Sequence, residues 1–238
     1  MQMEIGFNLL YLILIWGMVV VMRLRIDRVN ARDRQLANIF WVAFFALAFG
    51  DTFHVGARSA AYFMQGGLQA TIRIFGLSIP IVGWSSLITA VTITIFYLFF
   101  LVAWIVRTPQ RVSPVIYSLF TIAGIRLGLL VLPENQWHQP VPVQPWAIIR
   151  NLPLIILGLG VAALFLTAEF NEDRRPFRWL GVLILISYIT YIPVVFYVQR
   201  FPLLGLLMIP KTMAYLVMAA LVYLYLYHEP SARVEEAK

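Results

Sequence analysis

Ala48-Phe49-Gly50-Asp51-Thr52-Phe53-His54-Val55-Gly56-Ala57-Arg58 closes an apolar run that begins near Leu36. A carboxylate, an imidazole and a guanidinium therefore stand at the end of a stretch long enough to cross a bilayer. Asp51, His54 and Arg58 are spaced i, i+3 and i+7, so on a helix they share one face. Such groups are costly to bury in lipid. They normally face a bundle interior or a wet cavity, where they mark sites of function. The plainer reading is an ion-pair stripe near the membrane surface, with the long side chain snorkelling to water.

The composition agrees with a membrane chain. Of 238 residues, 61% are hydrophobic and 12% charged, with mean hydropathy +0.83. A soluble domain carries about 25% charged residues. No stretch between the apolar runs reaches the roughly 50 residues of a small soluble domain, which argues against nucleotide-binding or kinase modules. The chain has no cysteine, so disulfides, thiolate metal ligands and cysteine nucleophiles are excluded. Met1 to Glu4 lacks a basic region and no small-residue cleavage site precedes Arg23, so the first apolar run is expected to be a span rather than a cleaved leader.

A transmembrane helix needs about 20 mostly apolar residues. Seven candidates meet that length: 5–22, 36–55, 77–106, 115–132, 146–168, 179–198 and 201–227. The chain is thus expected to be one all-α domain over residues 1–238, a seven-transmembrane-helix bundle, multi-pass in a bacterial-type cytoplasmic membrane. The last two helices should form an antiparallel hairpin about Gln199-Arg200-Phe201-Pro202. Twelve basic residues (Arg23, Arg25, Arg28, Arg32, Arg34, Arg107, Arg111, Arg174, Arg175, Arg178, Arg233 and Lys238) lie on the side shared by the loops after helices one, three and five and the C-terminus. Only Arg58, Arg73 and Arg200 lie opposite. Positive loops stay inside, which predicts the N-terminus out and the C-terminus in. The net charge of +7 is therefore a matter of topology, and no nucleic acid is expected as a partner.

The remaining basic residues, Arg126, Arg150 and Lys211, fall within spans. Placed by depth, they meet Asp51, His54, Ser85, Ser86, Thr89, Asn151, Tyr188 and Tyr191 in the outer half of the bundle. Ser85, Thr89 and Thr92 share a face of the third helix. Lys211 lies about 15 Å into the seventh helix from its outer end. Pro153, Pro193 and Pro210 are expected to interrupt helices in that same half, freeing the carbonyl four residues back. Ordinary kinks are the plainer reading; the common depth favours a site. Gly124 and Gly128 form a G-x-x-x-G expected to pack closely within the bundle. Residues 56–76 are expected to form a cap or re-entrant segment. Pro133 to Pro140 reads as a stiff loop that lids the site or anchors Trp137 at the interface.

Four chemistries fit these residues. Arg58, Arg126, Arg150 and Lys211 outnumber Asp51 and Glu134, so an anion or lipid headgroup would complete the charge balance. Arginine forks suit carboxylate or phosphate. This predicts binding, sensing or transport of an anionic lipid or small organic anion, with membrane lipids as partners and no cofactor. The alternatives are an intramembrane hydrolase using Asp51 and His54 with Ser85 or Ser86, a zinc-like site drawing on Asp51, His54, Glu134 and His138, and a retinal Schiff base on Lys211. Seven helices with a lysine in the last resemble the rhodopsin plan, and Tyr191 to Phe196 resembles the sixth helix of microbial rhodopsins. The third helix, however, offers no carboxylate as counterion, which leaves Asp51.

Gly50-Asp51-Thr52-Phe53-His54, Thr92 to Tyr97, Ile192 to Val195 and Met208 to Thr212 resemble stretches of a group of uncharacterised bacterial integral membrane proteins carrying a G-D-x-F-H motif. The resemblance spans most of the chain. It implies that these positions matter and transfers no activity. The ceramidase and adiponectin-receptor superfamily has a pair of zinc histidines on its last helix; here that helix has none before His228.

Overall fold

The computed structural model describes residues 2–74, 77–108, 113–139, 141–167 and 175–228. In lipid a backbone can satisfy its peptide groups only within a helix or a closed barrel, and the apolar runs take the first course. The helices are α1 (Gln2–Leu24), α2 (Arg34–Ala61), α3 (Ile81–Arg107), α4 (Pro114–Val131), α5 (Trp146–Ile149), α6 (Leu152–Thr167), α7 (Arg175–Tyr197) and α8 (Met208–Leu226). Among the described residues seven spans are long and apolar enough to cross a membrane, α5 and α6 together making the fifth. Leu9, Ile13, Ile189 and Val131 are 60–83% exposed. That outward apolar belt is stable only against lipid.

The spans close into a ring. Each packs on the next in sequence, α8 returns to α1, and α2–α8 and α3–α6 contacts cross the middle. The core is largely aromatic, with Phe40, Phe44, Phe96, Phe100 and Phe165 wholly buried. Phe96 and Phe100 lie 4.5 Å apart between ring centroids, and Phe40 meets Phe100 edge-on at 5.2 Å. The α2–α3 contact is the closest in kind. A Cβ on Gly50 would overlap Thr92 Oγ1, and Thr89 Oγ1 donates to Gly50 O at 2.7 Å. Across the ring, Gly158 serves the same purpose: a Cβ there would overlap the Tyr188 ring.

Several boundaries differ from expectation. Leu77–Pro80 is a strand, not the start of the third helix; it pairs antiparallel with Thr71–Ile74, with Arg73 opposite Ser78. Proline donates no backbone N–H, and Pro80 becomes the residue before Ile81 at which α3 begins. Residues 56–61 extend α2 by six, and a turn with Gly66 and Gly67 at positive φ leads into this β-hairpin. The fifth span breaks at Arg150-Asn151 because Pro153 cannot bond to Ile149 and crowds its carbonyl. Pro193 lies within α7. Pro210 stands in the first turn of α8, where its missing N–H costs nothing, so it does not bend that helix. A 3₁₀ turn over Pro202–Leu207 joins α7 to α8. Gly124 and Gly128 are exposed, with nothing within 4 Å of either Cβ position, so this G-x-x-x-G packs on no other helix of the bundle. Arg111, Arg174, Arg233 and Lys238 lie outside the described residues.

Candidate functional site

The polar side chains of the bundle's β-hairpin half converge on its centre. Asp51, part-buried on α2, accepts a hydrogen bond from Tyr11 of α1 at 2.5 Å. A tyrosine in mid-span needs such a partner for its hydroxyl. Trp16 Nε1 donates to Thr52 Oγ1 at 2.8 Å one residue on.

Lys211 of α8 points into the ring of helices. Its ammonium lies 4.0 Å from the Tyr191 ring centroid and 5.8 Å from that of Tyr215. It is close enough to Asp51, His54 and Arg126 to interact with their charges. Yet the only ion pair among the described residues is Arg107–Asp33, and no described residue hydrogen-bonds to Lys211 Nζ. Tyr191 in turn donates to Asn151 Oδ1 at 3.0 Å, and Asn151 Nδ2 to Ala147 O at 2.8 Å.

Arg126 of α4 is 1% exposed. It donates to Thr94 Oγ1, to Ala90 O at 3.0 Å and to Arg150 O at 3.3 Å. These oxygens solvate the guanidinium without neutralising it. The tyrosines Tyr97, Tyr188, Tyr191 and Tyr215 lie within its electrostatic reach. Tyr97 and Tyr215 bring their hydroxyls to 3.3 Å, and Tyr188 donates to Leu154 O at 2.9 Å. Ser187, 1% exposed, lies beside Tyr97 and Tyr215 with its Oγ lacking a hydrogen-bond partner among the described residues. His54 Nδ1 is likewise buried without a partner.

Asp51, Tyr188, Tyr191, Arg126, Asn151 and Lys211 are thus brought together, with His54 at the margin. The α3 serines are not. Arg150, buried at the α5–α6 break, borders the cluster within electrostatic reach of Tyr191 and Arg126, stacks 4.1 Å over Trp137 and donates to Asn135 Oδ1 at 3.3 Å. Ser85 and Ser86 both donate to Val82 O at 2.8 Å, and neither is hydrogen-bonded to His54. Thr89 joins α3 to α2 through Gly50 O. Arg58 makes no ion pair among the described residues. Glu134 and His138 are exposed, and Pro133–Asn135 is a 3₁₀ turn, so the two are not neighbours on an α-helix. No group of three or more metal-ligating side chains occurs among the described residues.

Two small cavities among the described residues each measure about 10 Å³, far below the roughly 300–1,000 Å³ of a ligand cleft, and neither is lined by Asp51, Arg126 or Lys211. Tyr11, Ser187 and Tyr215 were not anticipated, and Thr94 and Tyr97 were marked only by the resemblance of the stretch Thr92 to Tyr97. A mid-span tyrosine is a signal in itself, because its hydroxyl must find a partner in a dry interior.

These features define a multi-pass helical membrane protein with a buried, cation-rich cluster at its centre. Comparison with known proteins finds no matching family model, no matching curated protein and no matching solved structure.

Proposed function

We propose that the protein binds a small organic anion or an anionic lipid headgroup at the Lys211–Arg126 cluster. The observation that carries this is the imbalance of buried charge. Lys211 lies near Arg126 and one carboxylate, Asp51, which is already bonded to Tyr11. Lys211 has three N–H groups and no hydrogen-bond acceptor among the described residues. An oxyanion placed between lysine and arginine would satisfy both charge and donors. Tyr97 and Tyr215, within electrostatic reach of Arg126, and Ser187 beside them offer hydroxyls as further donors.

Protein purified in mild detergent should carry an anionic adduct in native mass spectrometry. Protein that is adduct-free, and takes up no mass from a panel of carboxylates, phosphates and anionic lipids, would sink the reading.

The β-hairpin end of the bundle is assigned to the outer face, because the basic loops lie at the other end. Alkaline phosphatase fused after Lys238 should be silent, since it folds only outside the cytoplasm. Strong activity would reverse the assignment.

A further inference from the structure

We propose that the protein is a carrier, whose central cluster is reached in turn from the two ends of the bundle. Each end is closed by an arginine-centred latch, and both are closed in this state. That the cargo is an organic anion rests on the reading above; the latches themselves do not.

At the β-hairpin end the latch is Arg150. Its guanidinium stacks on Trp137 and bonds Asn135, while Trp137 Nε1 donates to Leu130 O at 2.9 Å. The loop sits down on α3 because Gly83 has no side chain; a Cβ there would overlap the Trp137 carbonyl oxygen. Behind the loop lies one water-sized space, lined by Ser86 and Arg150 among others. The latch is joined to the cluster, since the Arg150 carbonyl accepts from Arg126 Nε.

At the opposite end the latch is Arg107. It pairs with Asp33 at 3.2 Å, donates to Tyr225 Oη at 3.3 Å and lies 5.8 Å over the Phe177 ring. Tyr227 Oη adds a bond to Ala37 O at 2.8 Å. These contacts tie the open ends of the α7–α8 hairpin to α2 and α3. Immediately within, between Phe40, Leu180 and Val222, lies the second water-sized space, so the seam under this latch is incompletely filled. Pro193 leaves the Ile189 carbonyl without its helical N–H, which gives α7 a point of bending on the far side of the seam. A part-exposed ion pair contributes little net stability, so this closure opens readily.

The chain has no cysteine, so Ser187→Cys supplies a single reporter at the centre, at a position 1% exposed. Sealed vesicles of each orientation would be treated with a membrane-impermeant maleimide. In the otherwise unaltered protein the reporter should label slowly from both sides. Arg107→Gln should speed labelling from the Arg107 side alone, and Arg150→Gln from the other side alone. Arg150→Gln should act by about tenfold, the shift that loss of one charge-assisted hydrogen bond brings to a two-state equilibrium, and Arg107→Gln by about two- to fivefold, the weight of a part-exposed ion pair. Asp33→Asn and Asn135→Ala, which break one bond of each latch, should give the same sidedness if the arginine variants do not fold. Labelling from the same side in both variants would make the protein a receptor with one entrance. Unchanged labelling in all four, with the cysteine reactive once the protein is unfolded in detergent, would remove the latches. Either result overturns the carrier, and neither touches anion binding, which the adduct reports separately.

Discussion

Lys211→Met should lose anion binding by roughly 10- to 100-fold, because a hydrogen bond to a charged group contributes about 1.5–3 kcal/mol. The same variant should unfold at a higher temperature. The Lys211 ammonium is held by the faces of Tyr191 and Tyr215, and such contacts contribute about 0.5–2 kcal/mol. Taking an ammonium out of water costs several kcal/mol in a real protein, so desolvation outweighs the ring contacts. Methionine fills a similar volume and keeps favourable sulfur–ring contacts. Gain of stability with loss of binding is the signature of a residue kept for its ligand. Thermal unfolding in detergent, measured beside retention of the anionic adduct, tests both halves. A Lys211→Met protein that melts lower and keeps its adduct would make the cluster a packing device.

Asp51→Ala should cost about 1–3 kcal/mol, the penalty of leaving a buried hydrogen-bond donor unsatisfied. It removes the acceptor of Tyr11 and the one carboxylate near Lys211, leaving a buried hydroxyl and an ammonium uncompensated. Tyr11→Phe removes only the hydrogen bond and should cost about 1 kcal/mol. The double variant Asp51→Ala with Lys211→Met should recover part of the loss, with a coupling of about 0.5–3 kcal/mol for residues in one network. Strict additivity of the two would show that the charges of Asp51 and Lys211 do not depend on each other. Unfolding by denaturant, followed by tryptophan fluorescence, supplies the cycle.

The positions of the spans were legible because a bilayer imposes a length and an apolar composition that few other structures share. Hydropathy does not separate helix from strand, however, and Leu77–Pro80 is apolar in either; the β-hairpin was therefore absorbed into the third helix. Pro153 marked the break in the fifth span, but its displacement back to Arg150-Asn151 follows only from the clash with residue i−4. The outward face of Gly124 and Gly128 could not be read, because α4 is apolar on nearly every side and its pattern names no buried stripe. Depth along the chain gathered Asp51, Arg126, Tyr191 and Lys211, since rise per residue is fixed. What depth does not give is which helix stands opposite which. The Tyr11–Asp51 bond, the stacking of Arg150 on Trp137 and the capture of Ser85 and Ser86 by Val82 O all depend on helix rotation within the ring.

The link between α1 and α2 also bears on how the chain is made. Besides Tyr11–Asp51 and Trp16–Thr52, Trp41 Nε1 donates to Val19 O at 3.1 Å, so three polar contacts are spread along this pair. An aspartate in a lone helix raises the cost of entering the bilayer, by up to about 2.5–3.5 kcal/mol at the helix centre. When α2 leaves the ribosome, α1 has already been made, and it carries the hydroxyl that Asp51 needs. The first two spans are thus suited to leave the translocon together as a hairpin, the acidic group entering lipid already bonded. Tyr11 then acts in biogenesis before any ligand arrives, and its loss would lower the amount of protein inserted more than the activity of each copy.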